Sequence, residues 1–180
     1  GLDYACDTEM PSMDKVPIVG TVANVNPVKG LDVLIRAAAS LRDKGLEPHL
    51  VIVGPVHDRQ RRYYRRLLQL VRDLGLKRVH FLGARTDVRP ALRCMDLYVC
   101  SSSAESSPTS VWEAMAMALP IISTNVGDIP RHVVNGKTGF VVPVGDHELL
   151  ADGIEILLKE KHLRSTYGNR ARAVAKENFN

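Results

Sequence analysis

Asp96-Leu97-Tyr98-Val99-Cys100-Ser101-Ser102-Ser103-Ala104-Glu105-Ser106-Ser107-Pro108-Thr109-Ser110-Val111-Trp112-Glu113-Ala114-Met115-Ala116 is the stretch on which the fold turns. Its opening is a short, nearly continuous apolar run, the pattern of a strand covered on both faces in a parallel sheet. Its close is an apolar helical pattern, and the Ser/Pro-rich middle has turn chemistry. Strand, turn and helix in that order are the first part of a βαβ unit. The same alternation continues in both directions. Strands are expected at Ile18–Ala23, Leu50–Val53, Val79–Leu82, Leu97–Cys100, Ile121–Ser123 and Phe140–Val142. Helical patterns lie near Gly30–Lys44, Asp58–Leu74, Val88–Met95, Pro108–Leu119, Ile129–Val134, His147–Lys159 and Leu163–Asn178. The chain therefore reads as α/β: a Rossmann-like parallel sheet with helices on both faces and ligands beyond the carboxyl ends of its strands.

Residues 1–17 lack periodicity and read as a lead-in; 18–180 read as one domain. The chain opens without an initiator Met and stops just after a helical pattern, so it reads as a segment of something longer. At 180 residues, 45% hydrophobic and 24% charged, it can bury a core without staples. A net charge of +4 suits a binder of anionic metabolites and does not argue for nucleic acid. Cys6, Cys94 and Cys100 are odd in number and lack metal-ligand spacing, which points to reduced structural thiols in a cytoplasmic protein. No apolar run approaches a membrane span and no signal peptide opens the chain. With no D-x-D pair and no His/Cys cluster, no metal site is expected.

Glu105 and Glu113 stand eight residues apart across the turn. A helix start offers free backbone N–H groups and the positive end of its dipole to an anion. One carboxylate before that start and one inside the helix could grip the hydroxyls of a phosphate-bearing sugar. The alternatives are a capping box from Ser110 to Glu113, a solvated Glu105, or a glycosidase-like acid/base pair. Ser107 as cap and Pro108 as first helical residue would free Glu113 to face a ligand. Asn24-Val25-Asn26-Pro27-Val28-Lys29-Gly30 follows the first strand, where phosphates sit in such folds, and Lys29 supplies a point charge suited to a diphosphate. There is no G-x-G-x-x-G and no P-loop pattern. Gly127, after the fifth strand, would let backbone approach a ligand. Arg59-Gln60-Arg61-Arg62-Tyr63-Tyr64-Arg65-Arg66 is strongly basic, but Tyr64, Leu67, Leu68, Val71 and Leu74 form a helical apolar stripe, leaving most arginines on a solvated face. Nucleic-acid binding is not expected from it.

Glu105 to Glu113, continued by Ala114-Met115-Ala116-Met117-Ala118-Leu119-Pro120-Ile121-Ile122-Ser123-Thr124-Asn125-Val126-Gly127, resembles the E-x7-E region of glycosyltransferase family 4, the group 1 glycosyltransferases. Gly20 to Gly30 resembles that family's first donor loop, and Asn135-Gly136-Lys137-Thr138-Gly139-Phe140-Val141-Val142-Pro143 its closing turn and strand. The resemblance runs in order from about Gly20 to the C-terminus. It implies one half of a retaining, metal-independent GT-B enzyme, a hexosyltransferase whose donor is a nucleoside-diphosphate sugar and which needs no cofactor. An N-terminal acceptor-binding domain would lie outside this chain, and any membrane contact would be peripheral and through that other half. Gly1-Leu2-Asp3 resembles the end of the family's interdomain linker. By the same resemblance Glu113 binds the ribose hydroxyls, Glu105 the transferred sugar and Lys29 the diphosphate. The backbone of Ser107, Pro108, Thr109, Ser110 and Val111 meets sugar and phosphate at the helix start, Asn24 lies on the donor as well, and the loop around Gly83-Ala84-Arg85 flanks the base. The chain departs from the pattern at Asn24, where the family usually carries an Arg sharing the diphosphate charge, at Arg131 for a frequent Glu, and at Ala118 for a common Gly. Asn24 motivates a rival, a non-catalytic nucleotide-sugar sensor; a nucleotide-sugar epimerase is the other.

Overall fold

The computed structural model describes residue 7, residues 9–11 and residues 16–179. Gly1-Leu2-Asp3, Cys6 and most of the lead-in lie outside the described residues. The strands are β1 (Ile18–Val22), β2 (His49–Val53), β3 (Val79–Gly83), β4 (Leu97–Cys100), β5 (Ile121–Thr124) and β6 (Gly139–Val142). The helices are α1 (Leu31–Asp43), α2 (Arg61–Asp73), α3 (Arg89–Arg93), α4 (Thr109–Ala116), α5 (Ile129–His132), α6 (His147–Lys159) and α7 (Lys161–Asn178). All six strands run parallel in the order β3-β2-β1-β4-β5-β6. The expected α/β class holds.

Strand alternation sorts the core into two layers. Val19, Leu50, Ile52, Leu97, Val99 and Ile122 turn to one face, where α1, α2 and α6 pack through residues such as Leu34, Leu67 and Ile154. Their neighbours Ile18, Val51, Val53, Tyr98, Cys100 and Ile121 turn to the other, against α3, α4, α5 and α7. Strands apolar at every position are therefore buried on both sides, as the opening stretch implied.

Two helices differ from expectation. The pattern at 58–74 begins as a 3₁₀ turn, Asp58–Gln60, before α2. The helix expected over Pro108–Leu119 runs only from Thr109 to Ala116. It stops because Ala118 adopts φ +61°, returning the Ala118 N–H to Met115 O (2.9 Å) and the Leu119 N–H to Ala114 O (3.1 Å). That left-handed closure satisfies the last carbonyls and aims the chain into β5.

Candidate functional site

Strand order reverses between β1 and β4, so the loops leaving these two strands lie side by side at the carboxyl end of the sheet, the place where ligands bind in folds of this kind. After β1 the chain passes exposed Asn24 and forms a 3₁₀ turn, Pro27–Lys29. Gly30 then takes φ +57° and begins α1; a Cβ there would fall 2.1 Å from the Ser101 carbonyl oxygen. Glycine thus lets the two loops dock. The Ser101 hydroxyl donates to Lys29 O (2.9 Å), and the Ser103 N–H donates to Val28 O (2.7 Å).

This docking brings together side chains 76 residues apart. Lys29 Nζ lies 2.6 Å from Glu105 Oε1, which also accepts from the Ser102 hydroxyl at 2.7 Å. The Glu105 side chain is only 12% exposed and that of Lys29 26%. Behind them, Gly127 (φ +53°) presses against backbone: a Cβ would sit 2.5 Å from the carbonyl oxygens of Glu105 and Ser106, and the Asp128 N–H donates to Ser106 O (3.2 Å). Gly127 therefore supports the Glu105 turn, its missing Cβ letting the backbone of that turn approach closely.

α4 starts four residues after Glu105. Its N-cap is Pro108, with no side-chain cap. This corrects the assignment of Ser107 as cap and Pro108 as first helical residue, and it removes the capping box, because Ser110 is inside the helix and Glu113 is its fifth residue. Ser107 instead accepts from the Trp112 indole N–H (3.2 Å). The Val111 N–H donates to Pro108 O (2.9 Å) and its side chain is buried, so Val111 has no amide to offer a ligand. The amides of Thr109 and Ser110 precede the helical ladder and carry the positive end of the dipole. The Ser110 hydroxyl stands 2.9 Å from the Tyr98 hydroxyl. Buried Tyr98 donates to Val22 O (3.1 Å) and accepts from the Val22 N–H (3.3 Å), joining the ends of β1 and α4; burial pushes its phenol well above the usual range.

Glu113 is exposed on α4, within electrostatic reach of Asp87 and Arg89 that follow β3. Partial desolvation, and then the Asp87 carboxylate, raise its pKa above the ordinary value, against the pull of Arg89. Asp87 is held low by its bonds from Arg89, at 2.8 Å. Gly83 (φ +70°) opens the loop after β3 with nothing around its Cβ position. Arg85 turns away, donating to Leu82 O (2.6 Å) and pairing with Asp7 (2.7 Å) and Glu9. The Arg85 bond holds the Asp7 carboxyl below its ordinary range. Among the described residues no group of three or more His, Cys, Asp or Glu could hold a metal ion.

Tyr98, Ser102 and Asp87 were not anticipated. Tyr98 carried a signal: a phenol inside a doubly buried strand needs partners at the strand's end. On the far side of α4, Trp112 stacks on Phe179 (4.5 Å between centroids) with His132 edge-on at 5.0 Å.

A family model described as "Glycosyl transferases group 1" matches residues 8–174. The chain is 34% identical over 159 residues to N-acetyl-alpha-D-glucosaminyl L-malate synthase of Bacillus anthracis, covering 88% of the chain and 40% of that protein. It is also 34% identical to D-inositol 3-phosphate glycosyltransferase of Nocardia farcinica, covering 88% and 36%. The chain thus spans about two fifths of the length of these curated relatives. Among solved structures, Anabaena HepE in complex with UDP and glucose superposes with a TM-score of 0.86 at 28% identity, covering 92% of this chain and 45% of that one. The C-terminal domain of the group 1 protein LpcC from Francisella tularensis gives 0.83 at 25%, covering 92% and 88%.

Proposed function

The chain belongs to the glycosyl transferases group 1 family, and from that membership we propose that it is the donor-binding half of a retaining, metal-independent glycosyltransferase. In this reading a hexosyl group moves from a nucleoside-diphosphate sugar to an acceptor hydroxyl supplied by a further half outside this chain. The observation that carries it is the Lys29–Glu105 pair at 2.6 Å beside the uncapped start of α4, at the reversal of strand order. Positive charge and free amides stand next to an acceptor-only carboxylate, which is what a sugar diphosphate presents in mirror image.

As the anomeric C–O bond breaks, negative charge collects on the departing diphosphate. The Lys29 ammonium and the Thr109 and Ser110 amides stabilise that charge where it develops. Glu105 accepts hydrogen bonds from the hydroxyls of the transferred sugar, and Glu113 from the ribose. The acceptor hydroxyl attacks from the face the diphosphate leaves, so Glu105 carries no covalent intermediate. Gly83 and the loop after it flank the base. HepE, solved with UDP-glucose, makes uridine the first base to test.

Calorimetric titration with UDP and a panel of UDP-sugars tests the reading. Wild type binds UDP-sugar more tightly than UDP and transfers nothing by itself. Glu113→Ala weakens both ligands, and Asn24→Arg tightens both by about tenfold, the worth of one added charge-assisted hydrogen bond. No binding of any nucleotide overturns the proposal. Binding of UDP with no gain from the sugar favours the sensor reading, whose motive is the neutral, exposed Asn24.

A further inference from the structure

The chain's positive charge is concentrated in one place. Residues 58–78 hold eight Lys and Arg against two Asp, a net +6, whereas the whole chain nets +4; the remainder is net negative. Arg59, Arg61, Arg62, Arg65 and Arg66 are exposed within the first turns of α2 and the 3₁₀ turn before it. Only Arg61 pairs with a carboxylate, Asp58 at 2.9 Å; among the described residues Arg59, Arg62, Arg65 and Arg66 have no such partner. The arrangement is intrinsically unfavourable. Arg61/Arg65 and Arg62/Arg66 are like-charge pairs at i,i+4, and Arg61 and Arg62 open the helix at the positive end of its dipole with no acidic residue in the first turn. Nothing inside the fold repays it, because α2 is anchored from its other side. Leu67 is buried, Tyr64 meets Phe81 edge-on at 5.1 Å, and the Tyr63 hydroxyl donates to Asp32 at 3.0 Å.

We propose that the outer face of α2 is an electrostatic docking surface for an anionic lipid bilayer, contacted by Arg59, Arg62, Arg65 and Arg66. Clusters of this size on one helix suit acidic headgroups, and guanidinium forks match phosphate geometry. The shape favours a bilayer over a nucleic acid. A single helix roughly 20 Å long is convex and offers no groove to track a phosphodiester chain. Both tyrosines are turned into the protein, so no stacking platform faces outward. No described helix is long and apolar enough to cross a membrane, and the contact is peripheral. α2 starts beyond the carboxyl end of β2, the end of the sheet that also carries Lys29 and Glu105. The inference places a membrane contact on this half of the protein and does not depend on the donor reading.

Vesicle flotation with the full chain tests it. Wild type floats with vesicles of equal parts phosphatidylglycerol and phosphatidylcholine, not with phosphatidylcholine alone, and added salt releases it. The R62Q/R65Q/R66Q variant loses roughly 100-fold in apparent affinity. The R62K/R65K/R66K variant, which keeps the charge, stays within a few-fold of wild type. The R170Q/R172Q/K176Q variant removes the same charge from exposed positions of α7 and binds as wild type does. Equal binding to neutral vesicles, an equal loss in the α7 variant, or tighter binding of a single-stranded oligonucleotide than of anionic vesicles at the same salt would each overturn the proposal.

Discussion

Glu105 and Glu113 are the same side chain in opposite settings, and the difference sets what each can do. Glu105 has its charge matched by Lys29 at 2.6 Å and a hydroxyl donor from Ser102. Glu113 has neither; partial burial and Asp87 disfavour its ionised form. A carboxyl whose folded pKa is raised adds most to stability while protonated, and that contribution is lost as pH rises through its folded pKa. Glu113→Gln therefore gains stability relative to wild type on going from pH 4 to pH 7, a trend read from thermal melts at the two pH values. If Glu113 holds the ribose, nucleotide affinity falls as pH drops into the carboxyl range and this dependence disappears in Glu113→Gln. Spacing alone singled out both glutamates. It could not pair Glu105 with Lys29, because that contact exists only once β4 lies beside β1. Nor does spacing identify the partners of Tyr98: its residue type signals that the phenol needs them, but Val22 and Ser110 are brought to it only by the fold.

At the scale of the element, α4 shows how local signals compete. Ser107, Pro108, Ser110 and Glu113 offer two plausible helix starts, and neither is used: the helix begins at Thr109 with no side-chain cap, just after the Glu105 turn that rests on Gly127. The helix end was legible in part. Ala118 stands where a Gly is common in the family it resembles, and the structure supplies the reason, a backbone at φ +61° that a side chain strains. Ala118→Gly relieves that strain and outweighs the added freedom of the unfolded chain. The variant should be more stable by about 0.5–1 kcal/mol, raising the melting temperature by roughly 2 °C for a chain of this size. An unchanged or lower melting temperature would count against the strain. By contrast, β4 and α6 match their expected boundaries: β4 is a clean apolar run, and α6 opens at Asp146, whose carboxylate accepts from the Leu149 N–H (2.9 Å).

For the molecule as a whole, alternation of strand and helix was enough to specify a parallel sheet, but not its order. The order β3-β2-β1-β4-β5-β6 places the Lys29–Glu105 pair at the β1/β4 junction and divides the helices into two layers. One layer bears the arginine face and the other bears α4. The lead-in is tied to the second half of this scheme through Asp7, Glu9 and Arg85, a connection between aperiodic residues that no pattern announces. The packing of Trp112 on Phe179, with His132 edge-on to both, has a kinetic consequence. Trp112 is the chain's one tryptophan, and its neighbour Phe179 is almost the last residue. Its fluorescence therefore reports the closing of a contact that spans more than a third of the chain. Long-range closures of this kind form after local structure. In stopped-flow refolding, helical circular dichroism should recover first and Trp112 emission in the slowest phase, while coincident traces would exclude that order. The indole that donates to Ser107 would thus signal, from within, when α4 is docked beside the Glu105 turn.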